Sequence, residues 1–463
     1  MTKIREFFKN KWVRFAIVGG LYLFWVIWMK SWGWLILMPV IFDIYISKKV
    51  PWDFWNLLKP KFPKFRWLIE WFDALIFAFI AATFVNTFIF QLYAIPTSSL
   101  EKTLLVGDRL YVSKVAFGPR VPQTPLTLPL MHNKLPGTTG TNSYLTWIQN
   151  EYKRLAGFGE VQRNDIVVFN FPVGDTIITG HENPDYYGWV RNYGSENINS
   201  PKFWSLYYQQ MGMQVNSTPE IKTRPVDKRE NYVKRCVAVG GDSIQIVDGY
   251  VYINGEKEND WEGRQFDYLI TTDGSKINPK FLQKIGVANE DIESSGNRYA
   301  LPLTASMAEE IRRLPNIASI DRLNKYVKND SKNIYPFSPR YNWTKDNFGP
   351  MYVPKKGATV EITNKTEPIY RRLIEVYEEN TFEQKDGLFY INGEQTTTYT
   401  FKMNYYWMMG DNRDNSADAR MWGFVPEDHV VGKPIFVLFS TDKDKSFFEG
   451  IRFNRIFKKV HSW

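Results

Sequence analysis

A serine hydroxyl attacks a carbonyl only if something takes its proton, and a lysine can do so only when it is neutral. A free ammonium has a pKa of about 10.4, so a lysine base must be desolvated by several pKa units' worth of burial. Lys234 suits that requirement: it lies in Tyr232-Val233-Lys234-Arg235-Cys236-Val237-Ala238-Val239, an apolar run with strand character. Strand alternation lets its side chain enter a dry site while Arg235 points the other way. Taken alone, a Lys-Arg pair in a strand is more commonly a solvated face. The matching hydroxyls are Ser98 and Ser99, just beyond a long apolar segment, where two serines more often serve as a cap or turn. A third block, Gly410-Asp411-Asn412-Arg413-Asp414-Asn415-Ser416, follows far downstream. Together the three point to a serine nucleophile with a lysine base at a membrane surface.

Other chemistries lack their residues. His132, His181, His429 and His461 show no metal-ligand spacing and no H-E-x-x-H, and no G-x-S-x-G elbow occurs. A metalloprotease or histidine-based hydrolase is therefore disfavoured. The single cysteine, Cys236, excludes an internal disulfide and a multi-cysteine metal site. It reads as a small apolar residue on a buried strand rather than as a thiol nucleophile.

The elements that position these groups begin at the membrane. The formal charge of +9 resides entirely in residues 1–66, where 12 Lys and Arg face Glu6, Asp43 and Asp53. Nucleic-acid-binding proteins spread basic charge over the domain that meets phosphates, so this placement favours a bilayer over nucleic acid. Nine of the 17 Trp lie in residues 12–71: Trp12, Trp25, Trp28, Trp32, Trp34, Trp52, Trp55, Trp67 and Trp71 are interfacial candidates. Residues 67–93 contain the uncharged run Ala74–Phe90 and are long enough to cross about 30 Å of hydrocarbon. Val13–Met29 is a second candidate span. Trp32–Ile46, interrupted by Pro39 and Asp43, is a shorter third one of tilted or re-entrant type. No small-x-small site follows the first span, so it is expected to remain in the mature protein. Lys3, Arg5, Lys9, Lys11 and Arg14 precede it, and Lys48, Lys49, Lys59, Lys61, Lys64 and Arg66 precede the last span, with Lys30 between. The positive-inside bias then puts residues 94–463 outside the cytoplasm.

Beyond residue 94 short alternating runs, among them Asp165–Phe171, Ser243–Ile253 and Gly387–Ile391, predict strands of a mainly β domain. The stretch Asp248–Glu256 (D-G-Y-V-Y-I-N-G-E) recurs as Asp386–Glu394 (D-G-L-F-Y-I-N-G-E), read as two hairpins made by one turn chemistry. Polar stretches at about 120–159, 176–230 and 257–385 read as insertions, the last large enough for a subdomain with a helix near Ala305–Arg313. The expected division is a basic membrane region at 1–66, a spanning helix at 67–93, a β-rich catalytic domain at 94–440 and a basic-aromatic segment at 441–463.

Four blocks in this order resemble type I signal peptidase. Ile95–Asp108 resembles P-[ST]-x-S-M-x-P-T-L-x-x-G-D, which follows the last membrane helix of that family; aligning Thr103, Leu104, Gly107 and Asp108 puts the nucleophile at Ser99, with Ser98 as runner-up. Leu100 stands where the family has Met, and Lys102 where it has Pro, a loss expected to loosen the turn. Arg163–Phe169 resembles R-G-D-I-V-V-F with Asn164 for Gly, and Tyr232–Asp242 resembles Y-[IV]-K-R-x5-G-D. Residues 410–423 match nearly the whole signature G-D-N-R-x-x-S-x-D-S-R-x-W/F-G, with Ala419 for Ser.

The resemblance implies a mainly β catalytic domain of the signal peptidase and repressor-protease type behind N-terminal transmembrane helices. It implies a membrane-bound serine endopeptidase with Ser99 as nucleophile, Lys234 as general base, Ser416 orienting the ammonium, and Thr97 with the Ser99 N–H holding the oxyanion. Asp411, Arg413, Asp418 and Arg420 are expected to form structural ion pairs near the site. No cofactor or metal is implied. The implied partners are the lipid bilayer and secretory preproteins, whose signal peptides end in Ala-x-Ala and lie as an extended strand with small P1 and P3 side chains. The implied location is the cytoplasmic membrane, multi-pass, with the catalytic domain on the periplasmic side.

Two other classes stand beside this one. A catalytically inactive, membrane-anchored peptide-binding β domain is weighed against by the joint presence of Ser99, Lys234 and Ser416. A self-cleaving Ser/Lys regulator of the repressor type is disfavoured by the spans. Phe447–Trp463 mixes Arg452, Arg455, Lys458 and Lys459 with aromatic residues; it reads either as a membrane-surface segment or as a terminal helix packed on the core.

Overall fold

The computed structural model describes residues 10–29, 32–50, 60, 63–138, 141–213, 218–259, 261–288, 291–323, 332–443, 445–446 and 448–460. Lys3, Arg5, Lys9, Lys30, Lys59, Lys61, Trp52, Trp55, His461 and Trp463 lie outside the described residues, as does the side chain of Trp34. The chain divides into two compact units. One comprises Met1–Gln91, Lys114–His132 and Ser143–Gly159, the other Leu92–Ser113, Asn133–Asn142 and Glu160–Trp463.

The first unit is built on helix α1 (Lys11–Met29) and helix α2 (Arg66–Phe88). Among the described residues two helical stretches, Lys11–Trp28 and Pro63–Phe88, are long and apolar enough to cross a membrane, while Leu35–Ser47 is shorter. α2 buries no residue against protein and exposes Trp71, Phe77 and Ile80. A helix apolar on every side that leaves most of its surface uncovered by protein suits a lipid solvent, and its Phe84 ring meets Trp25 of α1 at 6.3 Å. It ends at Phe88, earlier than the expected boundary at residue 93. Phe90–Ala94 instead forms strand β1, because Phe90, Leu92 and Tyr93 are good strand formers whose backbone polar groups are satisfied by a neighbouring strand.

The second unit carries most of a seven-stranded sheet. Its strands are β1, β2 (Asp108–Ser113), β3 (Ile166–Asn170), β4 (Asn231–Ala238), β5 (Tyr405–Met409), β6 (Val425–Pro426) and β7 (Val430–Ser440), in the order β1-β2-β7-β3-β4-β5-β6. The described pairings are antiparallel: Val167 faces Lys234, Ile166 faces Arg235, and Met409 of β5 faces Arg235 from the other side. β3 reads I-V-V-F-N and is buried along its length, so β4 runs between two buried neighbours. A core of Leu110, Val112, Ile166, Val168, Val431 and Val437 also takes in Ile95, Leu100 and Leu104. The turn bearing Ser99 is thereby fixed to the sheet by its apolar residues.

Each copy of the repeated sequence forms a three-stranded meander: Ser243–Val247, Tyr250–Ile253 and Glu256–Lys257, then Phe382–Lys385, Leu388–Ile391 and Glu394–Gln395. The paired turns have positive φ at both central residues, 49° and 76° at Asp248-Gly249 and 55° and 88° at Asn254-Gly255, with Asp386-Gly387 and Asn392-Gly393 alike. That geometry matches the right-handed twist of hairpins and selects Asp-Gly and Asn-Gly. Residues 266–322 form a separate layer: a four-stranded sheet (Glu293–Ser295, Arg298–Leu303, Phe266–Thr272, Ile317–Arg322) covered by helices Pro279–Lys284 and Ala305–Arg312 over a core including Ile270, Leu282, Leu301 and Ile311.

Asn254 combines φ of 55° with a side chain that accepts from Ser243 N at 2.8 Å. Replacement by Ala meets both the left-handed strain and the lost hydrogen bond, at a cost of about 1–2 kcal/mol. Thermal unfolding should show Asn254→Ala less stable than Asn254→Gly, which loses the side-chain hydrogen bonds to Ser243 and Asp242 but meets no left-handed strain.

Candidate active site

Ser99 sits in a tight turn closed by Glu101 N to Ser98 O (2.9 Å) and Leu104 N to Leu100 O (2.8 Å). Gly107, with φ of 91°, ends the loop where a Cβ would come within 1.9 Å of Thr441 O, so only glycine fits. Asp108 accepts from Leu105 N at 2.9 Å and is ion-paired with the buried Arg455, which also donates to Thr103 O at 3.2 Å. The described part of the C-terminal segment has a single 3-10 turn at Phe453–Arg455 in place of a long terminal helix, and it is not wholly a surface strip: Arg455 turns inward onto the nucleophile loop, while Phe448, Phe453 and Phe457 remain strongly exposed.

Residues 410–416 lie over this turn. Asn412 N donates to Ser99 O at 3.1 Å, and a Cβ on Gly410 would come within 2.6 Å of that same carbonyl. Ser98 is engaged by Asn415 Nδ2 at 3.2 Å, whereas Lys234 Nζ lies 2.5 Å from Ser99 Oγ. Ser99 and Lys234 are 7 % and 5 % exposed. Of the two candidate serines, it is Ser99 that meets the lysine.

Burial drives the Lys234 pKa down to about 8, against the raising influence of the Asp418 and Asp411 carboxylates and with a small lowering by Arg420. Neither carboxylate is free to act at full strength. Asp411 takes a bidentate pair from Arg235, 2.8 Å on each oxygen, and also accepts from Thr103 Oγ1 at 2.6 Å. Asp418 takes the same kind of pair from Arg420, at 2.9 and 2.8 Å, plus Gly410 N at 3.1 Å. Burial alone would push the Asp418 carboxyl up, but Arg420 and these hydrogen bonds hold it below its ordinary range. Arg235 is fully buried rather than solvated; strand alternation sends it to the face opposite Lys234, where Asp411 and the Asn164 carbonyl (2.8 Å) receive it. Asn164 has φ of 69°, a left-handed position that asparagine tolerates almost as glycine does.

The remaining expected residues are placed differently. Arg413 is buried but pairs with neither aspartate; its nearest carboxylate is Glu258 at 3.8 Å, its guanidinium lies 5.2 Å from the Trp261 ring, and burial pulls its pKa down to about 10. The hydrogen bond from Ser416 to Lys234 is not formed: Ser416 Oγ is buried without a hydrogen-bond partner among the described residues, packed beside Gly410 where a Cβ would meet it. Thr97 is exposed, two residues ahead of Ser99. Cys236 is wholly buried, and burial raises its thiol pKa well above the usual value. Sequence reasoning missed Thr103, Asn415 and Arg455 as supports of the site. Of these, only Thr103 carried a usable signal, its fixed spacing to Gly107-Asp108.

A family model described as signal peptidase, peptidase S26, matches residues 68–280 and 353–439. Among curated proteins the chain is similar to signal peptidase I of Buchnera aphidicola subsp. Acyrthosiphon pisum, 25% identical over 382 residues that cover 82% of this chain and 77% of that protein. It is similar to signal peptidase I of Haemophilus influenzae (22% identical, 83% and 74% covered) and of Helicobacter pylori (23% identical, 81% and 86% covered).

A buried ammonium is a burden on the folded state, and replacing it with an apolar side chain of similar length should stabilise. Below pH 8 Lys234 is charged both folded and unfolded. Between about 8 and 10.5 the folded lysine has lost the proton that the unfolded one still holds, so wild-type stability rises with pH through that window. Lys234→Met should therefore melt above wild type at pH 7, by an amount that shrinks toward pH 10; equal melting temperatures at pH 7 would contradict the assigned burial cost.

Proposed function

The chain belongs to the S26 signal peptidases, serine proteases that remove signal peptides from secreted preproteins, and from that membership we propose that it cleaves with Ser99 as nucleophile and Lys234 as general base while anchored in a membrane. The observation that carries this reading is the 2.5 Å approach of Lys234 Nζ to Ser99 Oγ in a site where the lysine pKa falls to about 8. At pH 7 such a lysine is neutral in about one molecule in ten, against fewer than about one in a thousand for a solvated one.

Neutral Lys234 takes the Ser99 proton as Oγ bonds to the scissile carbonyl carbon, whose oxygen becomes the oxyanion. Collapse breaks the C–N bond, and the Lys234 ammonium returns its proton to the departing amine. Lys234 then deprotonates a water that attacks the ester, releasing the signal peptide and restoring the Ser99 hydroxyl. We assign the Ser99 N–H and the Thr97 hydroxyl to the oxyanion; losing one such donor typically costs about 2.7–4 kcal/mol. Ser416, buried beside Gly410, is assigned to orienting the ammonium once substrate is bound. Asp411, Asp418 and Arg420, with Arg235, hold the frame, and Arg413 buttresses it through Glu258 and Trp261.

The substrate we assign is an extended preprotein segment with small P1 and P3 side chains, of the Ala-x-Ala type, paired along a strand edge. α1, the shorter helical stretch Leu35–Ser47 and α2 are assigned as three successive spans in the cytoplasmic membrane. Arg14, Lys48, Lys49, Lys64 and Arg66 on one side of them favour a periplasmic catalytic domain over about 94–440, behind the membrane regions at 1–66 and 67–93. The exposed Phe448, Phe453 and Phe457 of the 441–463 segment offer an apolar face to the lipid surface.

Cleavage of a preprotein with an Ala-x-Ala site by the detergent-solubilised protein tests the reading. Ser99→Ala and Lys234→Ala should lose about 10³-fold or more in kcat/KM, Ser98→Ala should stay within a few-fold of wild type, and the wild-type rate should rise with pH through about 8. A Ser99→Ala protein that cleaves normally would overturn it, and a wild type that binds the preprotein without cleaving would favour an inactive peptide-binding domain.

A further inference from the structure

Lys102 follows the nucleophile by three residues and has φ of 71°. Proline, with φ locked near −65°, cannot take that conformation, so the turn here is of a kind that the proline-bearing pattern does not form. A non-glycine residue persists in the left-handed region only where its surroundings over-determine it. The surroundings come from the 266–322 layer: the Lys102 ammonium donates to the carbonyl of Gly286, at the end of helix Pro279–Lys284. Gly263, just ahead of that layer, packs beside the same turn: a Cβ there would lie 3.4 Å from Thr103 Oγ1 and 3.7 Å from Lys102 Cβ. Gly286 falls in the stretch 281–352 that the family model does not match.

The same layer, with Gln265 immediately ahead of it, also holds the other half of the site. Gln265 N donates to Asp411 O at 3.0 Å, Arg413 N donates to Gln265 O at 3.0 Å, and Asp267 N donates to Asp414 Oδ2 at 2.9 Å. The two loops it grips are joined at Ser99 itself through Asn412 N. Burial lowers the Lys102 pKa and raises that of Glu101 beside it to about 7, as expected of a turn pressed against a neighbouring surface.

We propose that Lys102 is a positioning residue: anchored on Gly286 O, it locks the turn so that Ser99 Oγ stays on Lys234, and the 266–322 layer thereby sets the reactivity of the nucleophile. The inference rests on the Ser99/Lys234 reading above. A lysine at this position supplies what glycine or asparagine, the easier residues for such φ, lack: a cation long enough to reach the neighbouring carbonyl.

The test uses the full-length protein in detergent with Lys102→Gly, which accepts φ of 71° and loses the clamp, Lys102→Met, which keeps the apolar stem, Lys102→Arg, which keeps a donor, and Lys102→Pro, which breaks the turn. The readouts are kcat and KM on a preprotein, the burst of Ser99 acylation by an activated peptide ester, and the melting temperature. The expected result is a kcat and burst rate about 10- to 100-fold lower in Lys102→Gly and Lys102→Met at nearly unchanged KM and melting temperature, because sub-ångström misplacement of a nucleophile costs rate rather than binding. Lys102→Arg should recover to within about threefold, and Lys102→Pro should be the slowest. The pH midpoint should stay near 8 throughout. Wild-type kcat in Lys102→Gly and Lys102→Met, or losses that follow melting temperature and are not recovered by Lys102→Arg, would overturn the inference. Failure of the underlying reading would look different, as full activity in Ser99→Ala.

Discussion

The site depends on taking one ammonium out of water without letting the nearby carboxylates restore its charge. Asp418 and Asp411 both act on Lys234 and both favour its protonated form, yet desolvation prevails. The reason lies in the arginines. Arg235 and Arg420 each occupy their carboxylate with two hydrogen bonds, so that each aspartate presents the lysine with one end of a neutralised pair. Charges within a few ångströms of one another in a buried medium interact strongly, so an unpaired aspartate here would hold the lysine charged. Two buried ion pairs, often neutral or costly in stability, have a functional explanation: they keep the local field weak around Lys234.

The rest of the second unit serves to hold that arrangement still. β4 runs between β3 and β5, which fixes the rotation of the strand and sends Lys234 and Arg235 to opposite faces. Leu100 and Leu104 sink the nucleophile turn into the sheet's core, and at Gly107 and Gly410 another segment's backbone approaches too closely for a side chain. Arg455 from the C-terminal segment and Gln265, immediately ahead of the 266–322 layer, close the loop system from two further directions. The two meanders use one turn chemistry twice, but only the first continues directly from β4.

The sequence was most legible where chemistry constrains residue type. Ser99, Lys234 and the 410–416 block stand far apart in the chain, and the structure brings their atoms into one buried site. The strands of the sheet were legible because β3 is dense in β-branched residues and β4 lies in a mostly apolar run from Tyr232 to Val239; the hairpin turns were written in Asp-Gly and Asn-Gly. Boundaries inside continuous apolar sequence were not: from Ala74 to Tyr93 hydrophobicity is nearly uniform, so nothing in the pattern marks where α2 gives way to β1 at Ile89. Burial of charge was also hidden, since a Lys-Arg pair looks solvated until Asp411, 176 residues away, is placed against Arg235. The turn at Lys102 was read as loosened by the absence of proline. Its positive φ and its partner Gly286 depend on tertiary structure that local propensity does not encode.

The most direct test is the pKa of Lys234 itself, followed by NMR in protein carrying ¹³C at the lysine ε-carbon, with the resonance assigned by its loss in Lys234→Arg. A titration midpoint near 8 in the folded protein, moving back toward 10.5 on unfolding, is what the buried, charge-balanced site requires. A midpoint above 10 in the folded state would mean that Lys234 is a charged structural residue, and that the proton of Ser99 goes elsewhere.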